Sequence, residues 1–450
     1  MTIKNIFEPK SIAIIGASDN LRKWGGNIVY NLIHGGYKGK IYPVNNKETI
    51  IQGLKCYKSV LDISENVDMA IIVVPANLFV PILIECGRKQ IKGVVGITAG
   101  FKEIGNIELE NTVKTVLNEY SMRLLGLNCM GFLNLDKNIN ASIVQQTPKS
   151  GGISFICQSG TMGIALIEDA VRNGVGLNKI ISTGNKTNVD DVDLIEYLDK
   201  DDSTKVIVIY AEGIARGKEF IKIAKNIKKP IIILKAGRSK KGSKAAFSHT
   251  GSMAGSDDVY SVAFKQSGII RVDQMEELFD AAIIFSQNLP NGNRVGIIAN
   301  GGGAGILATD LCEKYNIDVP DIEQNTKDKI KKISKVFAAI NNPIDTAADN
   351  AYETYYACVD GMLSDPNIDA LIVVYVHTQL ADSIPPANAI IDATKKYNKP
   401  VICCFFGGPG YEIGAKLLEA NNIPNYTTPE RVIRALNYLL QQKKFMEKKI

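Results

Sequence analysis

The chain has 450 residues, of which 45% are hydrophobic and 7% aromatic, and a formal net charge of +5. This length suits about three domains of ~150 residues each, and the mild charge, without an arginine-rich block, argues against nucleic acid as the main partner. Eight cysteines occur without a C-x-x-C pair or clustered histidines, so neither a zinc site nor a disulfide framework is indicated and no metal site is expected. Met1 to Lys10 is polar and charged, and no apolar run reaches ~18 residues; the expectation is a cytoplasmic chain without signal peptide or membrane span.

A first domain is expected over residues 1–145. Ser11 to Ile15 is a short buried-strand run ending in Gly16-Ala17-Ser18. A basic turn follows (Arg22, Lys23, Trp24, Gly25, Gly26), then a helix, then a second strand at Gly39 to Asn45. This βαβ unit places a phosphate-binding turn at a helix N-terminus. It departs from the dinucleotide fingerprint: Ser18 stands where the second glycine belongs, and Asn45 where an acid would take the ribose hydroxyls. Structural turn and nucleotide cradle both remain open on these residues. Further strands at Met69 to Val74 and Gly93 to Ile97 lead into Pro75-Ala76 and Thr98-Ala99-Gly100. In an open parallel sheet, ligands bind outside the carboxyl ends of the strands, so Gly16, Ala17, Ser18, Lys47, Val74, Pro75, Ile97, Thr98 and Ala99 are expected to line one crevice.

The second domain is expected over 146–288. Gly152 to Cys157 reads as a strand, and Gln158-Ser159-Gly160-Thr161 opens a helix. A helix start of this kind is either an ordinary serine cap or an oxyanion seat. Val206 to Ala211 is a strand that delivers Glu212 at its carboxyl end. Glu212 either orients an imidazole or pairs with Arg216 four residues on. The next strand, Pro230 to Leu234, feeds Lys235 to Asp258, a long stretch without helical or strand periodicity that carries His249. Its basic half (Lys235, Arg238, Lys240, Lys241, Lys244) suits an anion, and its small half (Ser248, Thr250, Gly251, Ser252, Ala254, Gly255) suits close approach of backbone to a ligand.

The third domain is expected over 289–450. Arg294 to Asn300 is a strand, and Gly301-Gly302-Gly303-Ala304-Gly305 strips the following helix start of side chains, so a ligand could meet bare N–H groups. Strands at Ala370 to Tyr375 and Pro400 to Phe406 alternate with helices, a parallel α/β pattern. Pro429 starts a last helix, with a frayed tail expected from Lys443 onward.

Seven segments then stand together in order: IIGAS at Ile14 to Ser18, ITAGF at Ile97 to Phe101, QSGTMG at Gln158 to Gly163, STGNK at Ser182 to Lys186, YAEG at Tyr210 to Gly213, SHTGSMAG at Ser248 to Gly255 and NGGGAG at Asn300 to Gly305. On these the chain resembles the α subunits of the NDP-forming acyl-CoA synthetases, the ADP-forming acetate–CoA ligase type, relatives of succinyl-CoA ligase. The resemblance implies an α/β chain with a Rossmann-like CoA-binding domain followed by two flavodoxin-like parallel-sheet domains. It implies that acyl-CoA, phosphate and ADP are reversibly converted to acid, CoA and ATP through an acyl phosphate and a phosphohistidine. His249 would be the nucleophile and Glu212 its orienting carboxylate. Ser159, Gly160 and Thr161, with Gly302, Gly303 and Ala304, would hold phosphate. Coenzyme A would lie in the first crevice; ADP/ATP and Mg²⁺ would be bound by an ATP-grasp β subunit, in an α₂β₂ assembly. The Gly126-Leu127-Asn128 and Val44-Asn45-Asn46 segments depart from the family's usual G-P-N and V-N-P. Ile164, where succinate-specific relatives carry an aromatic hydroxyl, favours a monocarboxylic acid. The competing readings are a non-catalytic CoA-binding regulatory module, a nicotinamide-dependent oxidoreductase and a succinyl-CoA ligase α-type subunit.

Overall fold

The structure is a computed structural model and describes residues 3–250, 256–333, 340–379 and 381–448, with the side chains of 245 and 247–250 outside the description. It divides into two compact units, Met1–Leu278 and Phe279–Ile450.

The first unit holds two large sheets. One consists of five parallel strands in the order Lys40–Val44, Ser11–Ile15, Met69–Ile72, Gly93–Gly96, Arg123–Gly126. Every residue of Ser11–Ile15, Met69–Ile72 and Gly93–Gly96 is buried. Such unbroken apolar runs, rather than alternating ones, are what a parallel sheet needs when helices cover both faces. The chain leaves Ser11–Ile15 toward Lys40–Val44 and later returns on its other side at Met69–Ile72, so the strand order reverses beside Gly16. That reversal opens a crevice at the carboxyl ends of the strands.

The second sheet has seven strands in the order Ile270–Val272, Ile231–Lys235, Val206–Ala211, Ser150–Cys157, Leu177–Ser182, Gly131–Asn134, Ile139–Ser142. The first five are parallel and the last two form an antiparallel hairpin. The expected first boundary, at 145, put that hairpin with the first sheet. Its ladder runs instead to the second, with Phe132 opposite Ile181 and Asn134 opposite Lys179. The two sheets are also knitted by backbone bonds: Asn185 N–H to Leu127 O at 2.8 Å, Thr187 N–H to Gly126 O at 3.1 Å and Val189 N–H to Leu124 O at 3.0 Å.

The segment after Ile231–Lys235 differs from its sequence expectation. Lys240–Thr250 is helical, and a second helix, Asp257–Ser267, follows 251–255. The physical signal is a cap. The Ser239 hydroxyl accepts the Gly242 N–H at 3.0 Å and the Ser239 carbonyl accepts the Ser243 N–H at 2.8 Å. Lysine and alanine are sound helix formers, and Lys240, Lys241 and Lys244 are exposed.

The second unit has four parallel strands in the order Ile344–Asp345, Val295–Ala299, Ala370–His377, Val401–Gly407. Its last helix, Pro429–Glu447, starts on a Thr428 cap and continues through most of the expected frayed tail.

On Leu177–Ser182, an inner strand of the second sheet, a buried lysine is held by an ion pair. Lys179, 2% exposed, places its ammonium 2.7 Å from Asp201. Burial alone would raise the Asp201 carboxyl, but the bonds from Lys179, Thr204 and Ser203 outweigh it and hold the group down at about 2. Removing one member of such a pair leaves a buried charge uncompensated, at a cost of about 3 kcal/mol or more. Asp201→Asn is therefore expected to lower the melting temperature measured by calorimetry. Because the folded carboxyl is depressed, this contribution in the wild type is complete above the unfolded carboxyl's value, about 4, and is lost as pH falls toward 2.

Candidate functional site

The second sheet brings three junctions side by side at its carboxyl end. Ser150–Cys157 is paired with Val206–Ala211, which is paired with Ile231–Lys235. These strands lead respectively into Ser159, Glu212 and the Lys240–Thr250 helix.

Ser159 caps the Gly160–Arg172 helix, its hydroxyl accepting the Met162 N–H at 3.4 Å. The first turn carries no acid. Ser159 and Gly160 are half-buried, and Thr161 is exposed with its hydroxyl 3.3 Å from that of Ser159. The amides that open a helix have no partner within it, and the macrodipole adds partial positive charge there. This junction can therefore take an anion.

Glu212 is 8% exposed at the end of its strand. Its peptide and the next are held by four bonds from three side chains. The Gln158 side-chain oxygen accepts both the Glu212 N–H at 2.9 Å and the Gly213 N–H at 3.1 Å. Lys235 donates to the Glu212 carbonyl at 2.8 Å, and Lys186 to the Gly213 carbonyl at 2.8 Å. Gln158 directly precedes Ser159, so one side chain fixes the carboxylate-bearing peptide against the helix start. The expected alternative, a Glu212–Arg216 pair, does not form: Arg216 is engaged by Asp190, Asp193 and Glu219.

Two cations counted in the basic half of the 235–258 segment are used by the protein itself. Lys235 is 2% exposed, bonded to the carbonyls of Glu212 and Ala236 and lying over the Tyr260 ring at 4.8 Å. Burial, reinforced by the Arg271 charge, brings its ammonium down to about 8. Arg238 pairs with Asp257 and Asp273. The backbone at His249 is helical, and its side chain lies outside the described residues, as do those of Ser248 and Thr250 and the whole of Gly251, Ser252, Ala254 and Gly255. The Lys240–Thr250 helix runs beside the Lys102–Ile104 turn, directly after the Ile97–Phe101 segment.

In the first sheet, the residues expected in the crevice divide into two groups. Ala17, Ile97 and Thr98 are buried, and the Thr98 hydroxyl donates to the Val74 carbonyl at 2.9 Å; these positions can offer a ligand little beyond backbone. Gly16, Ser18 and Val74 are half-buried, and Lys47, Pro75 and Ala99 are exposed. Gly16 has φ +94°, and a Cβ there would meet the Val73 carbonyl at 2.2 Å, so the glycine is required by the turn itself. Asn45 has a role that the sequence hid: its amide donates to the Ala17 carbonyl at 2.8 Å and holds that turn.

Sequence reasoning also missed a carboxylate pair that ties the two sheets. Glu110 accepts from Asn185 and Thr187 at 3.1 Å each and lies 3.5 Å from the Lys102 ammonium. Glu103 accepts from Asn185 at 2.7 Å and from the Phe101 N–H at 3.1 Å. Together they fix the Ile97–Phe101 segment against Ser182 to Lys186. Neither residue stands in an apolar or glycine-rich pattern that would have singled it out.

In the second unit, Gly302 and Gly303 open the Gly302–Lys314 helix, exposed and with no acid in the first turn, and Ala304 is half-buried beside them. The Asp345 carboxylate flanks this start, 3.1 Å from where a Cβ on Gly302 would lie. An adjacent carboxylate opposes anion binding, which weakens this helix start. Among the described residues no three acidic, histidine or cysteine side chains converge as metal ligands, and no helix is long and apolar enough to cross a membrane.

The chain matches three family models in order: a CoA binding domain over 10–134, a succinyl-CoA ligase like flavodoxin domain over 150–285 and a ligase-CoA domain over 295–439. That succession defines a CoA-ligase architecture. It is 42% identical over 447 residues to the α subunit of acetate–CoA ligase [ADP-forming] II from Pyrococcus furiosus, covering 97% of each chain. It is 39% identical to 4-hydroxybutyrate–CoA ligase [ADP-forming] from Nitrosopumilus maritimus, covering 98% of this chain and 64% of that one. Among solved structures, acetyl-coenzyme A synthetase 1 of Ca. Korarchaeum cryptofilum, in complex with phosphate and ADP, superposes with a TM-score of 0.95 at 39% identity over 100% of this chain and 99% of that one. The chain belongs to the ADP-forming acetate–CoA ligase family.

The Gln158 bond pair yields a direct expectation. Gln158→Ala leaves two buried N–H groups without an acceptor, which costs about 2 kcal/mol or more. Chemical denaturation should show that loss; a midpoint unchanged from wild type would mean that water or another side chain takes over both bonds.

Proposed function

We propose that this chain is the α-type subunit of an ADP-forming acid–CoA ligase that reversibly converts acyl-CoA, phosphate and ADP to acid, CoA and ATP. The observation that carries the reading is the placing of buried Glu212 against the Ser159 helix start through Gln158, one strand away from the segment bearing His249. An anion seat, a fixed carboxylate and a histidine segment thus leave neighbouring strands of one sheet.

The chemistry runs in three transfers. A phosphate oxygen attacks the thioester carbonyl; the C–S bond breaks and CoA departs, leaving an acyl phosphate. An imidazole nitrogen of His249 attacks phosphorus; the P–O bond to the acyl group breaks and the carboxylate leaves with its electron pair. The phosphoryl group then passes from His249 to a terminal oxygen of ADP. Glu212 orients the imidazole and balances its positive charge. Ser159, Gly160 and Thr161 seat the phosphate, each helix dipole contributing roughly 0.3–2 kcal/mol for an adjacent anion. Gly302, Gly303 and Ala304 present a second helix start, weakened by Asp345.

CoA is assigned to the carboxyl ends of the first sheet. Backbone at Ala17, Ile97 and Thr98 and the more accessible Gly16, Ser18, Lys47, Val74, Pro75 and Ala99 form its contacts. Nucleotide and Mg²⁺ are assigned to an ATP-grasp β subunit in an α₂β₂ assembly in the cytoplasm. The Pyrococcus furiosus relative is named a subunit alpha, which supports a partner subunit here. Ile164 on the Ser159-capped helix favours a monocarboxylic acid.

The deciding experiment is co-expression with the ATP-grasp partner and incubation with acetyl-CoA, ³²P-phosphate and ADP. Acid-labile, alkali-stable label is expected on the wild-type chain and none on His249→Ala. A wild type that binds CoA but takes up no label with any of several acyl-CoAs would leave a non-catalytic CoA-binding module. The CoA assignment has its own readout. Trp24, the sole tryptophan, is 50% exposed at the start of the helix after the Gly16–Ser18 turn. Its emission should change saturably on titration with CoA; unchanged emission, while calorimetry detects binding, would place CoA elsewhere.

A further inference from the structure

The four-bonded Glu212–Gly213 peptide contains an asymmetry. Both of its carbonyls accept from a buried ammonium, but the two ammoniums are not alike. Lys186 is neutralised by Asp191, 2.6 Å away, and both side chains are almost fully buried. Lys235 is equally buried, yet among the described residues no carboxylate lies within 4 Å of its ammonium; its partners are two backbone carbonyls and the face of Tyr260. An unpaired cation in a desolvated position costs several kcal/mol unless it is used. Its two carbonyls are also significant. One belongs to Glu212, and the other to Ala236, the first residue after the strand that leads to the Lys240–Thr250 helix.

We propose that Lys235 is a positioning residue for the phosphoryl relay: it ties the Glu212 peptide to the root of the His249 segment and supplies the positive charge that offsets the incoming phosphoryl group. The inference rests on the relay assigned above. When phosphate charge reaches a site already holding the Glu212 carboxylate, a buried cation without a carboxylate partner is the group whose interaction energy rises most, since the low dielectric leaves it unscreened. Lys186 cannot serve in the same way, because Asp191 already balances it. The charged and titratable groups facing Lys235 are Glu212 on the neighbouring strand, Lys186 beyond it, Asp257 and Tyr260 on the following helix, and Arg271 on the next strand of the sheet. Burial and Arg271 favour the neutral amine, so the charge is present below about pH 8 and is lost above it.

The test uses the complex with the ATP-grasp partner and compares wild type, Lys235→Gln and Lys235→Arg. The rate of ³²P incorporation at His249 from acetyl-CoA and ³²P-phosphate is followed from pH 6.5 to 9.5, with CoA binding read by Trp24 emission and folding by thermal melts. Gln keeps a donor and removes the charge; Arg keeps the charge at every pH in the range. The wild-type rate should fall as pH rises through about 8. Lys235→Gln should be slower by about tenfold, equivalent to ~1.4 kcal/mol of transition-state stabilisation, and flat across that range, with CoA binding retained. Lys235→Arg should restore part of the rate and remove the fall near pH 8. A purely structural lysine would instead give variants with lowered melting points and a wild-type pH profile, and that result overturns the inference. So does a Gln variant as fast as wild type. Label absent from the wild type itself overturns the relay and this inference together, whereas a labelled wild type with an indifferent Lys235 overturns this inference alone.

Discussion

The side-chain oxygen of Gln158 accepts two successive backbone N–H groups, those of Glu212 and Gly213. Much of the site depends on that bond pair. A strand end in a parallel sheet has backbone groups that the ladder no longer satisfies, and buried ones must find partners. Here the partner is supplied by the residue that leads into the Ser159 cap, so satisfying the backbone and aligning two functional junctions are one event. The alternative, water at the strand end, would leave Glu212 free to rotate away from the helix start.

The same logic explains how the first unit is built. The strand ending at Gly126 gives its terminal carbonyls to the loop after Ser182, through Asn185 and Thr187. Glu103 and Glu110 then gather the side chains of that loop and the turn after Phe101. Two sheets that read as separate domains in sequence thereby fall in one compact unit. The segment proposed to meet CoA and the loop after Ser182 are held by shared hydrogen bonds rather than by packing alone. Such polar networks are strong only when every member is satisfied, which accounts for buried carboxylates where a simple core would suffice for stability.

Much of this was readable in the chain. Unbroken apolar runs such as Ser11–Ile15 and Ile231–Lys235 announce buried parallel strands, and the small residues after each announce turns. Two kinds of information were not. The Gly131–Ser142 hairpin lies next in sequence to the first sheet but pairs with the second, because hydrogen bonding follows spatial neighbours and sequence order carries no such signal. The Lys240–Thr250 helix has no apolar periodicity to announce it; only the Ser239 cap betrays it. In the site, Glu212 and Ser159 stood out by position, at the ends of strands. Gln158, Lys186 and Lys235 did not, because their roles are bonds to another segment's backbone, and a backbone partner leaves no pattern in the sequence. Lys235, counted with the cations suited to an anion, turns out to be buried and bonded to two backbone carbonyls.

The two helix starts proposed to attract phosphate are also chemically unequal in a way that composition conceals. Both lack acids in their own first turn, and each has a carboxylate close by. Asp345, on the adjacent strand, brings a full negative charge to a helix end that carries only about half a positive one. The Ser159 start has an acid of its own in Glu212, whose peptide Gln158 holds against it, but it gains hydroxyls from Ser159 and Thr161. What separates the two is therefore hydroxyl donors rather than charge, since Gly302 and Gly303 offer only backbone. The Gly302 start is then suited to a group that tolerates a nearby carboxylate: a backbone-bound carbonyl oxygen, or a phosphoryl group whose charge a cation shares.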